Sequence, residues 1–283
     1  MMQLWYHLVD LLPFTWAEPG RMYFMKNALL AVLVISPLFA LMSTLVVEKG
    51  MSFFSDALGH SAFTGLAAGA FCGLTDATWA AVVLAVAFAL LFTWVERHSD
   101  MASDTVIGVF SATAVALGIF LSTLDGRSFT KFNSLLIGDI LSVSPKKIAL
   151  LSLILVLMVA LWVIQMNDMT LAAVHPALAQ SRGVRLSVHQ ALFNCAVAVV
   201  VTLSMTWIGL MVINSLLVLP GAAARNIARN MRQYTLFALL GALVCGVGGL
   251  MLSFYIGSST GASITLLLAV YFFVSFAFRG RRL

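Results

Sequence analysis

Long apolar runs alternate with short polar breaks along the chain. The runs fall near 27–47, 52–73, 77–95, 104–124, 147–165, 188–206, 208–222, 234–256 and 261–278. A helix crossing a bilayer needs ~20 predominantly apolar residues, so this pattern predicts an all-α, polytopic membrane protein with eight or nine spans. The run at 208–222 is short, which predicts a tilted, broken or re-entrant helix. The semi-polar segment 126–147, "GRSFTKFNSLLIGDILSVSPKK", reads as an interfacial or re-entrant piece over a pore mouth. Residues 1–26 are amphipathic and aromatic and read as an interfacial segment anchored by Trp5, Tyr6 and Trp16. They lack the basic start and small-residue cleavage site of a signal peptide. No polar stretch is long enough to fold separately, so 27–283 is expected to form one transmembrane domain.

Composition agrees with the pattern: 61% of the 283 residues are hydrophobic and 10% charged, against about a quarter charged in a soluble domain. Mean hydropathy is +1.03. The net charge of +5 reflects basic cytoplasmic loops in such a chain, not nucleic-acid binding. Arg225, Arg229 and Arg232 form one basic cluster, and Arg279, Arg281 and Arg282 another. Two spans separate them, so both face one side, taken as cytoplasmic. Counting back through nine crossings puts Lys49, Arg97, Arg182 and Arg185 on that side and the N-terminus outside. Lys131, Lys146 and Lys147 are the misfits, left outside by this count. Cys72, Cys195 and Cys245 lie in apolar runs without a CxxC pair, which argues against a disulfide framework or a thiolate metal site.

One stretch breaks the apolar rule. "FFSDALGHSAFTGLAAGAF" (53–71) carries Asp56 and His60, four residues apart and so on one helix face. That ridge continues through Thr64, Ala68 and Cys72. Its neighbour reads Ala57, Ser61, Gly65, Gly69, Gly73, a run of small residues suited to close helix contact. An ionisable group near the bilayer centre costs about 2.5–3.5 kcal/mol on insertion scales, so two on one helix need compensation. Three forms are open: a mutual Asp–His pair acting as structural glue, a proton relay, or a divalent cation bound by carboxylate oxygen and imidazole nitrogen. HExxH and a mid-span lysine are absent, so a zinc protease and a retinal-type Schiff base lack their signatures.

With these motifs in view, the chain resembles the permease subunits of bacterial ABC importers for zinc and manganese (ABC-3). The resemblance rests on "MSFFSDALGHSAFTG", "SDTVIGVFSATAVALG" (103–118), "NSLLIGDILSVSP" (133–145) and "GLMVINSLLVLPGAAARNIARN" (209–230), in that order. It runs from about residue 30 to the C-terminus, and the first ~25 residues have no counterpart. It implies the importer-permease fold of the metal-chelate and vitamin importers. It also implies a second permease subunit (a homodimer or a related permease), a cytoplasmic ABC ATPase dimer, an extracytoplasmic metal-binding protein, and a place in the bacterial plasma membrane. No Walker A sequence occurs, so ATP hydrolysis is expected in the partner and this chain is not itself expected to be an enzyme. No cofactor is expected to be permanently bound; Zn²⁺, Mn²⁺ and Fe²⁺ are candidate substrates.

The family's metal-contacting acid and histidine match Asp56 and His60. Gly59, where relatives often have Ala, is a departure. The resemblance also makes Pro220, Gly221, Ala223, Arg225 and Arg229 candidates for coupling to the ATPase, with Pro220-Gly221 ending a span and Ala222 to Met231 forming a cytoplasmic helix. On charge alone that stretch is an ordinary basic loop. Thr64, Asp104 and Asp139 are weaker pathway candidates. Asp104 also suits a helix start, and Asp139 a cap. Asn194 and Asn214 read as interhelical glue, and His175 and His189 as solvated loop residues. A proton-coupled secondary carrier and a non-transporting membrane scaffold are the competing readings.

Overall fold

The computed structural model describes residues 2–10, 16, 18, 22–74, 76–124, 138–174, 176–182 and 186–279. Among these the chain forms α1 (Met2–Val9), α2 (Tyr23–Glu48), α3 (Phe54–Phe71), α4 (Thr78–His98) and α5 (Ser103–Leu124). A 3₁₀ turn (Ile140–Ser142) follows. Then come α6 (Pro145–Val174), α7 (Pro176–Ser181), α8 (Leu186–Ile208), α9 (Leu210–Ile227), α10 (Met231–Ile256) and α11 (Thr260–Arg279). Eight of the long helices are apolar enough to cross a membrane: α2, α4, α5, α6, α8, α9, α10 and α11. α3 is a ninth long helix, diluted by Asp56, His60 and its glycines. The short run at 208–222 is an unbroken helix of 18 residues, α9.

The long helices pack as two groups. α3, α4, α5 and α8 form one, with α3 wedged against both α4 and α5; α2, α6, α9, α10 and α11 form the other. They meet along α3–α9, α8–α9 and α6–α8. The predicted small-residue ridge of α3 is the seam with α4. A Cβ on Gly65 would stand 2.5 Å from Ala81 Cα and 3.0 Å from Ala80 O. Gly73 does not continue that seam, because α3 ends at Phe71 and Gly73 turns the chain with φ +73°.

The expected break at Pro220-Gly221 does not occur. α9 runs through both residues to Ile227, and no separate helix covers Ala222 to Met231. Proline removes one donor and its ring crowds the preceding turn. Ser43 of α2 repairs the backbone there: Gly221 N–H donates to Ser43 Oγ at 2.9 Å, and a Cβ on Gly221 would meet Ser43. Packing against α2 thus carries the helix past its proline.

Polar groups tie the helix ends at the basic end of the molecule. Glu96 of α4 accepts from Ser103 Oγ (α5) and from Gln190 Nε2 (α8). Arg225 Nε lies 3.8 Å from Glu48, and Tyr234 OH donates to Thr44 O. His189 Nε2 lies 3.8 Å from Asp168 Oδ2, joining α8 to α6, so it is paired and not a free loop residue; His175, Lys131 and Arg185 lie outside the described residues. At the opposite end Lys147 Nζ sits 5.3 Å from the centre of the Trp207 ring, which gives one of the misfit lysines a cation–π partner. In the N-terminal segment Trp5 Nε1 donates to Lys26 O and Tyr6 OH to Asn27 Oδ1. Lys26 is fully buried and paired with Asp10, and Trp16 is buried within the protein.

These contacts make stability testable at two places. Gly65→Ala forces backbone apart and should cost about 1–3 kcal/mol, read as a lower unfolding midpoint in detergent. Gly248→Ala, which meets only Leu267 Cδ1 at 3.3 Å, should shift it little. Equal behaviour of the two would contradict the seam. Half-buried Lys49 is the second case. Burial lowers its pKa from 10.5 to about 8, partly offset by Glu96. Between those values the unfolded chain holds more protons than the folded one, so the Lys49 contribution makes stability rise with pH across that window. Thermal unfolding from pH 7 to 10 should show that rise in the wild type relative to Lys49→Met.

Candidate ion site

α3 begins beside α9, in the region where the two helix groups meet. His60 lies four positions after Asp56, and the helix brings His60 Nε2 to 3.4 Å from Asp56 Oδ2. The other carboxylate oxygen, Oδ1, accepts from Asn214 Nδ2 of α9 at 3.1 Å. Each face of the carboxylate is therefore held by a different helix group. The Asp56 side chain is still 43% exposed in the single chain, so it can reach a ligand; His60 is 17% exposed.

The spacing is chemically informative. Two ligand atoms each about 2.1 Å from one ion stand about 3.0 Å apart at a right angle and about 3.4 Å apart at a tetrahedral angle. Asp56 Oδ2 and His60 Nε2 have that separation. The same pair without an ion is a weak charge–imidazole contact. Among the described residues no three His, Cys, Asp or Glu side chains cluster, so one chain offers this pair an incomplete shell.

Gly59 sets how close α9 comes. Its missing side chain is where Leu210 packs: a Cβ there would lie 2.5 Å from Leu210 Cδ1 and Cδ2. One turn along α9 from Leu210 stands Asn214, and one turn back along α3 from His60 stands Asp56. The Gly59 departure is thus a packing feature of this seam.

The other candidates separate. Thr64 is buried, and its hydroxyl proton is shared between Ala114 O of α5 and His60 O, so it packs α3 on α5. Asp104 is exposed in the first turn of α5, where a negative charge favours the helix dipole. Asp139 caps the 3₁₀ turn by accepting from Leu141 N–H at 3.0 Å. It also borders a cavity of about 140 Å³ with Ser258, Ser259 and Thr260. The adjacent Gly138 lies against the α8–α9 corner, where a Cβ would fall 2.1 Å from Gly209 N. Among the coupling candidates, Pro220, Gly221 and Ala223 are buried, whereas Arg225 and Arg229 are exposed, as is Arg232. The three arginines occupy a helix end, a turn and the next helix start, not one helix face.

Asn194 is interhelical glue, as expected: its Nδ2 donates to Thr93 Oγ1 of α4 at 2.9 Å. Asn214 is more than that, because its partner is Asp56. The sequence offered its residue type and its place in an apolar run, but nothing that paired it with a residue 158 positions away. Its Oδ1 is buried and has no hydrogen-bond partner among the described residues. A buried acceptor left unmade costs about 1–3 kcal/mol.

Comparison with known proteins places the chain in a family. The ABC 3 transport family profile matches residues 21–279. The chain is 28% identical over 254 residues to the high-affinity zinc uptake system membrane protein ZnuB of Haemophilus influenzae, covering 90% of this chain and 97% of that one. It is 27% identical over 257 residues to the manganese import system permease protein ScaB of Streptococcus parasanguinis, covering 90% and 91%. Among solved structures, PsaBC from Streptococcus pneumoniae in complex with Fab superposes with a TM-score of 0.76 at 24% identity, over 98% of this chain and 95% of that one. The fold is that of an ABC importer permease, the chain is a multi-pass membrane protein, and it belongs to the ABC 3 transport family.

Proposed function

We propose that this chain is the membrane-spanning permease of an ATP-driven importer of divalent transition metal, with zinc or manganese as substrate and Fe²⁺ in the same ligand class. Asp56 and His60 form a transient site on the ion's path. The observation that carries this reading is the 3.4 Å Asp56–His60 pair at the meeting of two helix groups. Zinc and manganese in the names of the relatives support the substrate class. A transport site must strip some hydration yet release its ion. One carboxylate and one imidazole meet both demands, with water or a second permease subunit completing the shell. The protein sits in the bacterial plasma membrane. An extracytoplasmic metal-binding protein delivers the ion, and a cytoplasmic ATPase dimer supplies the energy. Arg225, Arg229 and Arg232 form the exposed contact surface for that ATPase, while Gly221, between the buried Pro220 and Ala223, ties α9 to α2 behind it.

Uptake of ⁶⁵Zn or ⁵⁴Mn into vesicles carrying the complete complex tests the reading. Asp56→Ala and His60→Ala should each lower ATP-dependent uptake by about tenfold or more at equal assembly. Wild-type uptake in both variants would remove the pair from the path. Uptake that survives without the ATPase but collapses with the proton gradient would favour a proton-coupled carrier, and absence of any ion flux a scaffold. Arg229→Glu should lower transport and ATPase stimulation about tenfold while leaving ion binding at Asp56 intact, because it reverses a charge on the partner-facing surface. Full coupling in that variant would contradict the assigned surface.

A further inference from the structure

We propose that Asn214 is a third group of the ion site, and that its amide oxygen biases the site toward Mn²⁺ relative to Zn²⁺. The inference rests on the reading of Asp56 and His60 as an ion site. Three observations carry it. Asn214 Nδ2 donates to Asp56 Oδ1, so the amide stands beside the carboxylate. Asn214 Oδ1 is buried without a partner among the described residues, although an amide oxygen can accept two hydrogen bonds. Gly59 leaves room for Leu210, one turn from Asn214, and so sets α9 at the distance where the amide reaches Asp56.

The chemistry follows from the charge at Asp56. Without an ion the carboxylate needs a donor, and the Nδ2 end of the amide supplies it. An arriving cation reverses that demand. It takes over the carboxylate and repels the amide hydrogens, while the terminal torsion of asparagine is soft enough to turn the amide end for end. Oδ1 then exchanges its partnerless position for a place beside the ion. A neutral carbonyl oxygen suits Mn²⁺, which accepts six hard ligands, better than Zn²⁺, which is content with four and favours nitrogen and sulfur. Asn214 therefore adds to the Mn²⁺ shell more than to the Zn²⁺ shell. Because it stands on α9 and Asp56 on α3, the full shell exists only while those helices are together. Separating them removes one ligand and weakens the hold on the ion.

The test uses the permease assembled with its ATPase in lipid nanodiscs. Mn²⁺ affinity is read from loss of the free-ion EPR signal, and Zn²⁺ affinity by competition against bound Mn²⁺. Asn214→Leu, close in size but without the amide, should weaken Mn²⁺ binding by about tenfold or more and Zn²⁺ binding by less than about threefold. Asn214→Asp, which keeps an oxygen there, should hold Mn²⁺ at least as well as the wild type. The ratio of the two affinities is the deciding quantity, since misfolded protein lowers the number of sites without changing it. A wild-type ratio in Asn214→Leu overturns the inference, including when both affinities fall together as a purely structural role would predict. Asp56→Ala distinguishes failure of the Asn214 role from failure of the ion site. If it abolishes binding while Asn214→Leu keeps the wild-type ratio, only the role of Asn214 fails. If it binds both ions as the wild type does, the ion-site reading itself fails.

Discussion

A carboxylate set among apolar helices must find its compensation within reach, and the architecture around Asp56 is arranged by that need. His60 supplies one partner from the same helix, and Asn214 supplies the other from across the group boundary. Neither cancels the charge fully. An imidazole is cationic only when protonated, and an amide donates one hydrogen bond without neutralising anything. The remaining charge, on a side chain that stays 43% exposed, is what the proposed ion site rests on.

Bringing those partners together depends on close helix approach, which small residues permit. Gly65 and Gly69 let α4 lie on α3, and Gly59 admits Leu210 of α9. In a bilayer the hydrophobic effect does little to press one helix on another, so van der Waals packing at such seams carries much of the association. The seam with α4 fixes the rotation of α3, and the contact with α9 fixes its distance from Asn214. Ser43 has a comparable duty further along α9, where its bond to Gly221 N–H lets one helix pass through Pro220 and carry Arg225 to the basic end.

Much of this is legible in the sequence because membrane helices are written locally. Nine apolar runs correspond to nine long helices among the described residues, and the four-residue spacing of Asp56 and His60 is enough to place them on one face. What is not legible comes from contacts between distant segments. Pro220-Gly221 reads as a stop by local rules, and only the hydroxyl of Ser43 shows why the helix continues. Ala223 belongs to a basic stretch, yet packing leaves its arginines exposed and Ala223 buried. Thr64 shares a ridge with His60 but is turned against Ala114. Asn214 needs a tertiary contact to distinguish it from Asn194, which has the same residue type and a simpler role.

X-ray absorption at the zinc edge, on the permease–ATPase complex in nanodiscs loaded with Zn²⁺, tests the central claim most directly. The account predicts a shell of oxygen and nitrogen at about 2.0–2.2 Å with an imidazole signature and no sulfur, losing the imidazole in His60→Ala and the bound ion in Asp56→Ala. A shell containing sulfur, or one unchanged by either substitution, would contradict it.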